Sequence, residues 1–178
     1  ALEDATRAFE ALVATGLAPE RIVIGGDSSG GNLALALQLV LRDRGVRAGG
    51  LVLLSPWTDL TMPGVSYVDN DPFDYGTRAE LARHAAVYAG SHALDEPPVS
   101  PMFAELSGLP PTFVQAGTAE LLRDDILALA RKLEASGTPV TLDEVAEMPH
   151  NPCLLASLHP VAGAALARAA TFIQRVTA

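Results

Sequence analysis

The sequence predicts an α/β fold: about four parallel strands, flanked on both faces by helices, in a single domain spanning residues 1–178. Three observations carry this. Short runs rich in Val, Ile and Leu alternate along the chain with longer amphipathic segments, the order of a parallel sheet built from strand–helix units. The runs "RIVIGG", "GGLVLLSP" and "PTFVQAG" are short and mostly apolar, as strands of a parallel sheet covered on both faces are. With 49% hydrophobic and 19% charged residues over 178 positions, the chain has material for one sizeable core.

The elements follow in order. Leu2, Phe9, Leu12 and Val13 share one helical face, and Gly16 is a plausible stop. "RIVIGG" is expected as a short buried strand and Asn32 to Arg44 as a helix. "GGLVLLSP" is a second strand, stopped by Ser55-Pro56. From Trp57 to Pro111 runs a polar stretch containing Pro and Gly, interrupted by one helical pattern around Arg78 to Tyr88. Connections of that length are commonly lids or binding elements, so 57–111 is expected to be a substrate-facing insertion within the domain. "PTFVQAG" makes a third strand, followed by a helix from about Leu121 to Ala135, ended by Gly137. "PVTLDEV" makes a fourth, and Pro160 opens a last helix to about Val176, proline being well tolerated in a first turn.

Composition narrows the function classes. Twelve Lys and Arg against 21 Asp and Glu leave a formal charge of −9, which repels phosphate backbones and argues against nucleic acid. A single cysteine, Cys153, excludes an internal disulfide and a multi-cysteine zinc motif. No apolar run approaches the roughly 20 residues of a membrane span, and no signal peptide is visible, which points to the cytoplasm.

The chemistry concentrates in "RIVIGGDSSGGNLALALQLV". Strand, then Gly26-Asp27-Ser28-Ser29-Gly30, then helix is the setting in which G-x-S-x-G forms a nucleophile elbow. The serine at the tip is forced into a strained conformation, and the residues two positions either side approach each other. Only very small side chains fit there, here Gly26 and Gly30, and Gly31 lets the helix lie close on the sheet. Such a turn aims backbone N–H groups and a helix N-terminus at a developing oxyanion, with the Ser29 amide as one expected donor. A phosphate-cradling turn is the competing reading. No Lys-Ser/Thr follows the glycines, as a P-loop needs, and Ser29 stands where a dinucleotide turn needs its middle glycine.

A serine nucleophile needs a base, and the base an orienting carboxylate. In α/β-hydrolases the chain order is Ser, Asp/Glu, His. Glu120 follows the third strand and His150 the fourth. Of the four histidines, His84 lies in a helical pattern, His92 in the polar segment and His159 before Pro160; only His150 sits just beyond the last strand. Asp124 is the alternative acid, and Asp124 and Asp125 both fall about one turn into a helix, where acids complement the dipole. Asp59 follows the wrong strand. Cys153 lacks a strained turn and is expected to be an ordinary thiol.

The blocks "GGDSSGGNLA", "SPWTDLT", "VSPMFAELSGLPPTFVQAGTAELLRDD" and "MPHNP" resemble the hormone-sensitive-lipase-like family of α/β-hydrolase esterases, in order over nearly the whole chain. The resemblance implies a carboxylic-ester hydrolase acting through Ser28, Glu120 and His150, on short to medium acyl esters, with no metal or organic cofactor. Ser29 stands where the family often has Ala, and Glu120 where it more often has Asp. Trp57, Met62, Phe73, Tyr75 and Tyr88 are candidates for the substrate pocket. The match is to the family's second half; the first half carries a His-Gly-Gly-Gly motif that completes the oxyanion hole, and that motif is absent here. The chain is therefore expected to be the C-terminal half of an α/β-hydrolase fold. The strand "IVIGG", central in a whole sheet, would then be an exposed apolar edge. A second piece or self-association is expected to cover it. Rival expectations are a non-catalytic remnant with an interaction role, and a transacylase or amidase using the same three residues.

Overall fold

Side chains alternate along the strands, and that alternation divides the core in two. In the computed structural model, which describes residues 1–178, four parallel strands pair in the order β1-β2-β3-β4: β1 Val23–Asp27, β2 Gly50–Leu54, β3 Thr112–Gly117 and β4 Val140–Val145. Ile24, Leu51, Leu53, Val114 and Ala116 point to one face, where they meet the larger cluster. Val52 and Phe113 point to the other, against Ala169 and Phe172. The larger face is covered by α1 (Leu2–Ala14), α2 (Ser29–Asp43) and α5 (Arg123–Ala135), the smaller by α6 (Pro160–Thr177). Every crossover carries a helix or a long connection, as parallel pairing requires.

The inner strands are as buried as their composition demands: all six residues of β3 are buried. β1 differs from the buried strand expected of "RIVIGG". It lies at the sheet edge, with Gly25 and Asp27 exposed, because nothing pairs with its outer side. α2 begins at Ser29 rather than Asn32, since the turn at Ser28 delivers the chain directly into helical geometry.

The stretch from Trp57 to Pro111 contains two α-helices and a 3-10 turn at Pro101–Phe103. α3 (Ser66–Asp69) is a single turn without a periodic signal. α4 (Arg78–Ala89) is set by a capping box in which Thr77 accepts from the Glu80 amide and Glu80 accepts from Thr77. The start of the insertion and its stretch around Val99 are stitched to α2 and to each other. The buried side-chain amide of Asn32 donates to Trp57 O at 3.0 Å and to Val99 O at 2.9 Å, and Leu60 N donates to Ser100 Oγ at 2.8 Å. No helix is long and apolar enough to cross a membrane.

Candidate active site

The carboxyl ends of the four strands open on one rim, and each turn there is built for close approach. Ser28, between β1 and α2, has φ 52 and ψ −120, a conformation that costs a non-glycine residue on the order of 1–3 kcal/mol. Hydrogen bonds hold it there: Ser28 N donates to Leu54 O, while Ser28 O accepts from the amides of Gly31, Asn32 and Trp57. A Cβ on Gly26 would stand 2.1 Å from Gly30 O, and one on Gly31 would stand 2.6 Å from Pro56 Cβ. Gly30 has room, its nearest neighbour for such a carbon being Asp27 Oδ1 at 3.8 Å. Strand, turn and helix are thus pressed together chiefly at Gly26 and Gly31. Ser29 is the first residue of α2, so its N–H has no partner within the helix.

The β3 and β4 turns meet beside it. His150 Nδ1 lies 2.7 Å from Glu120 Oε2. The other carboxylate oxygen, Oε1, accepts from Gly117 N at 2.8 Å and from Ser55 Oγ at 3.0 Å, so Glu120, fully buried, is satisfied on both oxygens. Burial pushes its carboxyl pKa up, against the pull of His150, Gly117 and Ser55. Burial also works against a charged imidazole, but the hydrogen bond and charge of Glu120, followed by the charges of Asp74 and Asp27, outweigh it and hold His150 above the ordinary histidine value. The Ser55 hydroxyl accepts in turn from Asn151 N at 2.9 Å, and Asn151 Nδ2 donates to Asp27 Oδ2 at 2.8 Å. The carboxyl ends of all four strands thus form one connected network.

Ser28 borders two cavities. The larger, about 250 Å³, lies between Ser29, Trp57, Leu60, Leu81, His84 and Tyr88. The smaller, about 60 Å³, brings Ser28 together with His150, Asp74 and Tyr75. No hydrogen bond joins Ser28 Oγ to the imidazole; such bonds are often long until substrate is present.

Of the candidate pocket residues, Trp57, Tyr75 and Tyr88 therefore line these cavities. Met62 and Phe73 do not: Met62 is packed into the core and Phe73 stands 66% exposed. The alternative acid Asp124 accepts from Ser66 N at 3.0 Å, and Asp125 from the Tyr67 hydroxyl at 2.7 Å; neither bonds the imidazole. Cys153 bonds Gln115 Oε1 and its thiol is pushed up, chiefly by burial. Sequence reasoning passed over Ser55, Asp74 and Asn151, whose partners lie far along the chain. It also set His84 aside, which sits on the wall of the larger cavity. Ser55 and Asn151 have positive φ, a backbone property that no sequence pattern announces for a serine.

A serine in a strained conformation at a strand–helix turn thus stands on the rim where Glu120 and His150 join the β3 and β4 turns. Residues 1–154 match the family described as the alpha/beta hydrolase fold. The chain belongs to that family, on its hormone-sensitive-lipase-like branch. It is 38% identical over 172 residues to an esterase of Acinetobacter venetianus, covering 92% of this chain and 55% of that protein. It is 38% identical over 152 residues to an acetyl-hydrolase of Streptomyces hygroscopicus, covering 84% and 51%. The crystal structure of an esterase from the bacterial hormone-sensitive lipase family superposes with a TM-score of 0.95 at 36% identity, over 99% of this chain and 60% of that one. The chain spans about half the length of the curated relatives it matches.

Proposed function

We propose that this chain supplies the nucleophile, base and acid of a serine carboxylic-ester hydrolase acting on short to medium acyl esters. One observation carries the reading. The 2.7 Å contact between Glu120 and His150 lies beside a serine whose backbone is held at φ 52, and Ser28 and His150 wall one cavity. The names of the relatives, an esterase and an acetyl-hydrolase, support the same reaction class.

The mechanism is a two-step acyl transfer. His150 takes the Ser28 proton as Oγ attacks the ester carbonyl, forming the C–O bond of a tetrahedral adduct. Glu120 holds the ring and stabilises its charged form. The adduct oxygen is met by the Ser29 amide at the positive end of α2, together with donors from the other half of the fold. The adduct collapses, the ester C–O bond breaks and the alcohol leaves with the proton from His150. Water then repeats the sequence, freeing the acid and restoring Ser28. The cavity of about 250 Å³ is the acyl or alcohol pocket, and the 57–111 insertion covers it. The open edge of β1 takes the N-terminal half of the same fold.

A serine-directed phosphonate tests the reading. One equivalent is expected to attach to Ser28 and to be lost in Ser28→Ala. Labelling that survives Ser28→Ala refutes the assignment.

A further inference from the structure

One carboxylate of the insertion touches both turns that carry the acid and the base. Asp74 Oδ2 accepts from Leu121 N at 2.8 Å, immediately after Glu120, and Asp74 Oδ1 accepts from His150 N at 3.0 Å. Oδ1 also accepts from Tyr75 N at 2.9 Å, which fixes the side chain against its own backbone. Two residues upstream at helical spacing grip the same turn. Asn70 Nδ2 donates to Glu120 O at 2.8 Å and Thr118 O at 3.3 Å, while Ser66 Oγ donates to Leu121 O at 2.6 Å. Ser66 opens α3, Asn70 caps its end, and Asp74 lies in the bend beyond; their hydrogen bonds bring all three to the acid turn. Only Asp74 reaches beyond the acid turn to the histidine turn.

We propose that Asp74 is a positioning residue for the base: it fastens the backbone of His150 to that of the acid turn, so that the imidazole stays registered on Glu120 and beside Ser28. Bonds from Ala119 N to Met148 O, from Glu147 N to Thr118 Oγ1 and from Asn151 N through Ser55 to Glu120 tie the acid turn to residues either side of the histidine; Asp74 is the side chain that holds the amide of His150 itself. Its place on the wall of the cavity shared by Ser28 and His150 also sets its charge before the ring. The charged groups facing the imidazole are Glu120 from the β3 turn, Asp74 from the insertion and Asp27 from the end of β1. The proposal rests on the reading of His150 as the base for Ser28.

The test compares the full chain with Asp74→Asn and with Asp71→Asn. Asp71 accepts from Arg78 N, so its replacement removes equal charge from the same segment without touching either turn. In Asp74→Asn an NH2 group faces one of the two amides and the charge is gone. Phosphonate labelling of Ser28 is expected to slow about tenfold at neutral pH. The ring titration of His150, followed by NMR, is expected to move to lower pH, while Asp71→Asn changes neither. Wild-type labelling and an unmoved ring titration in Asp74→Asn would overturn the proposal. Should that variant fail to fold, the wild-type chain still decides: the amides of His150 and Leu121 must both be protected from hydrogen exchange, and free exchange at both overturns it. Ring titration and amide protection need no nucleophile, so the failure of Ser28 to label sinks the hydrolase reading and leaves these measurements intact.

Discussion

His150 lies among carboxylates, and that placement sets its pH response. A base must be neutral to take a proton from Ser28, and the raised pKa of the ring extends to higher pH the range in which it is protonated and idle. Glu120→Gln removes the largest favourable partner, so the ring pKa falls and the acid limb of the labelling profile moves to lower pH. The plateau itself is expected to drop by about 10²–10⁴, since an amide no longer selects the tautomer that presents a free ring nitrogen to the serine. A pH–rate profile of phosphonate labelling in both proteins checks the two parts at once; an acid limb that stays put contradicts the assignment of the acid. Chain order after the fourth strand singles out His150; after the third it offers Glu120 with Asp124 as the alternative, and what separates those two is the hydrogen bond that Glu120 alone makes to the ring. Ser55, Asp74 and Asn151 were not legible in the sequence, because each acts through a partner 65 to 124 residues away, and nothing local marks a residue for such a contact.

The elbow is a property of an element pair, and glycine content at its base is its physical requirement. Gly25 and Gly26 are neighbours in one strand with opposite surroundings. A methyl on Gly25 would make ordinary contact with Val52 at 3.7 Å, whereas one on Gly26 would overlap the Gly30 carbonyl at 2.1 Å. That carbonyl belongs to the first turn of α2 and cannot rotate away. Gly26→Ala is therefore expected to destabilise the chain by roughly 3 kcal/mol or more, while Gly25→Ala shifts the denaturant midpoint little. Equal midpoints for the two variants would mean that strand and helix have slack at the turn. The strands and the longer helices were legible from apolar runs and their periods. α3 was not, since a single turn carries no period, and its role depends on the turn it faces rather than on its own sequence.

For the molecule as a whole, the open side of β1 decides behaviour. Ile22 O and Ser28 N are bonded toward β2, so by strand alternation the N–H and C=O of Gly25 point outward, unpaired. Beside that edge, on the α6 face, lies a cavity of about 460 Å³ between Val23, Gly25, Val52, Leu54 and Ile173. An apolar strand with free backbone groups is a template for another strand. On the function proposed above, the strand that pairs there comes from the N-terminal half of the fold. On the same proposal that half also bears on rate, because one oxyanion donor is worth about 10²–10³. The purified chain is expected to label at Ser28, to turn esters over at least about 100-fold more slowly than when joined to that half, and to self-associate as its concentration rises. Sedimentation and ester hydrolysis, each with and without a separately produced N-terminal half, measure both effects together. A stable monomer that hydrolyses esters equally well with and without that half would show that β1 needs no neighbour, and that the Ser29 amide suffices to hold the oxyanion.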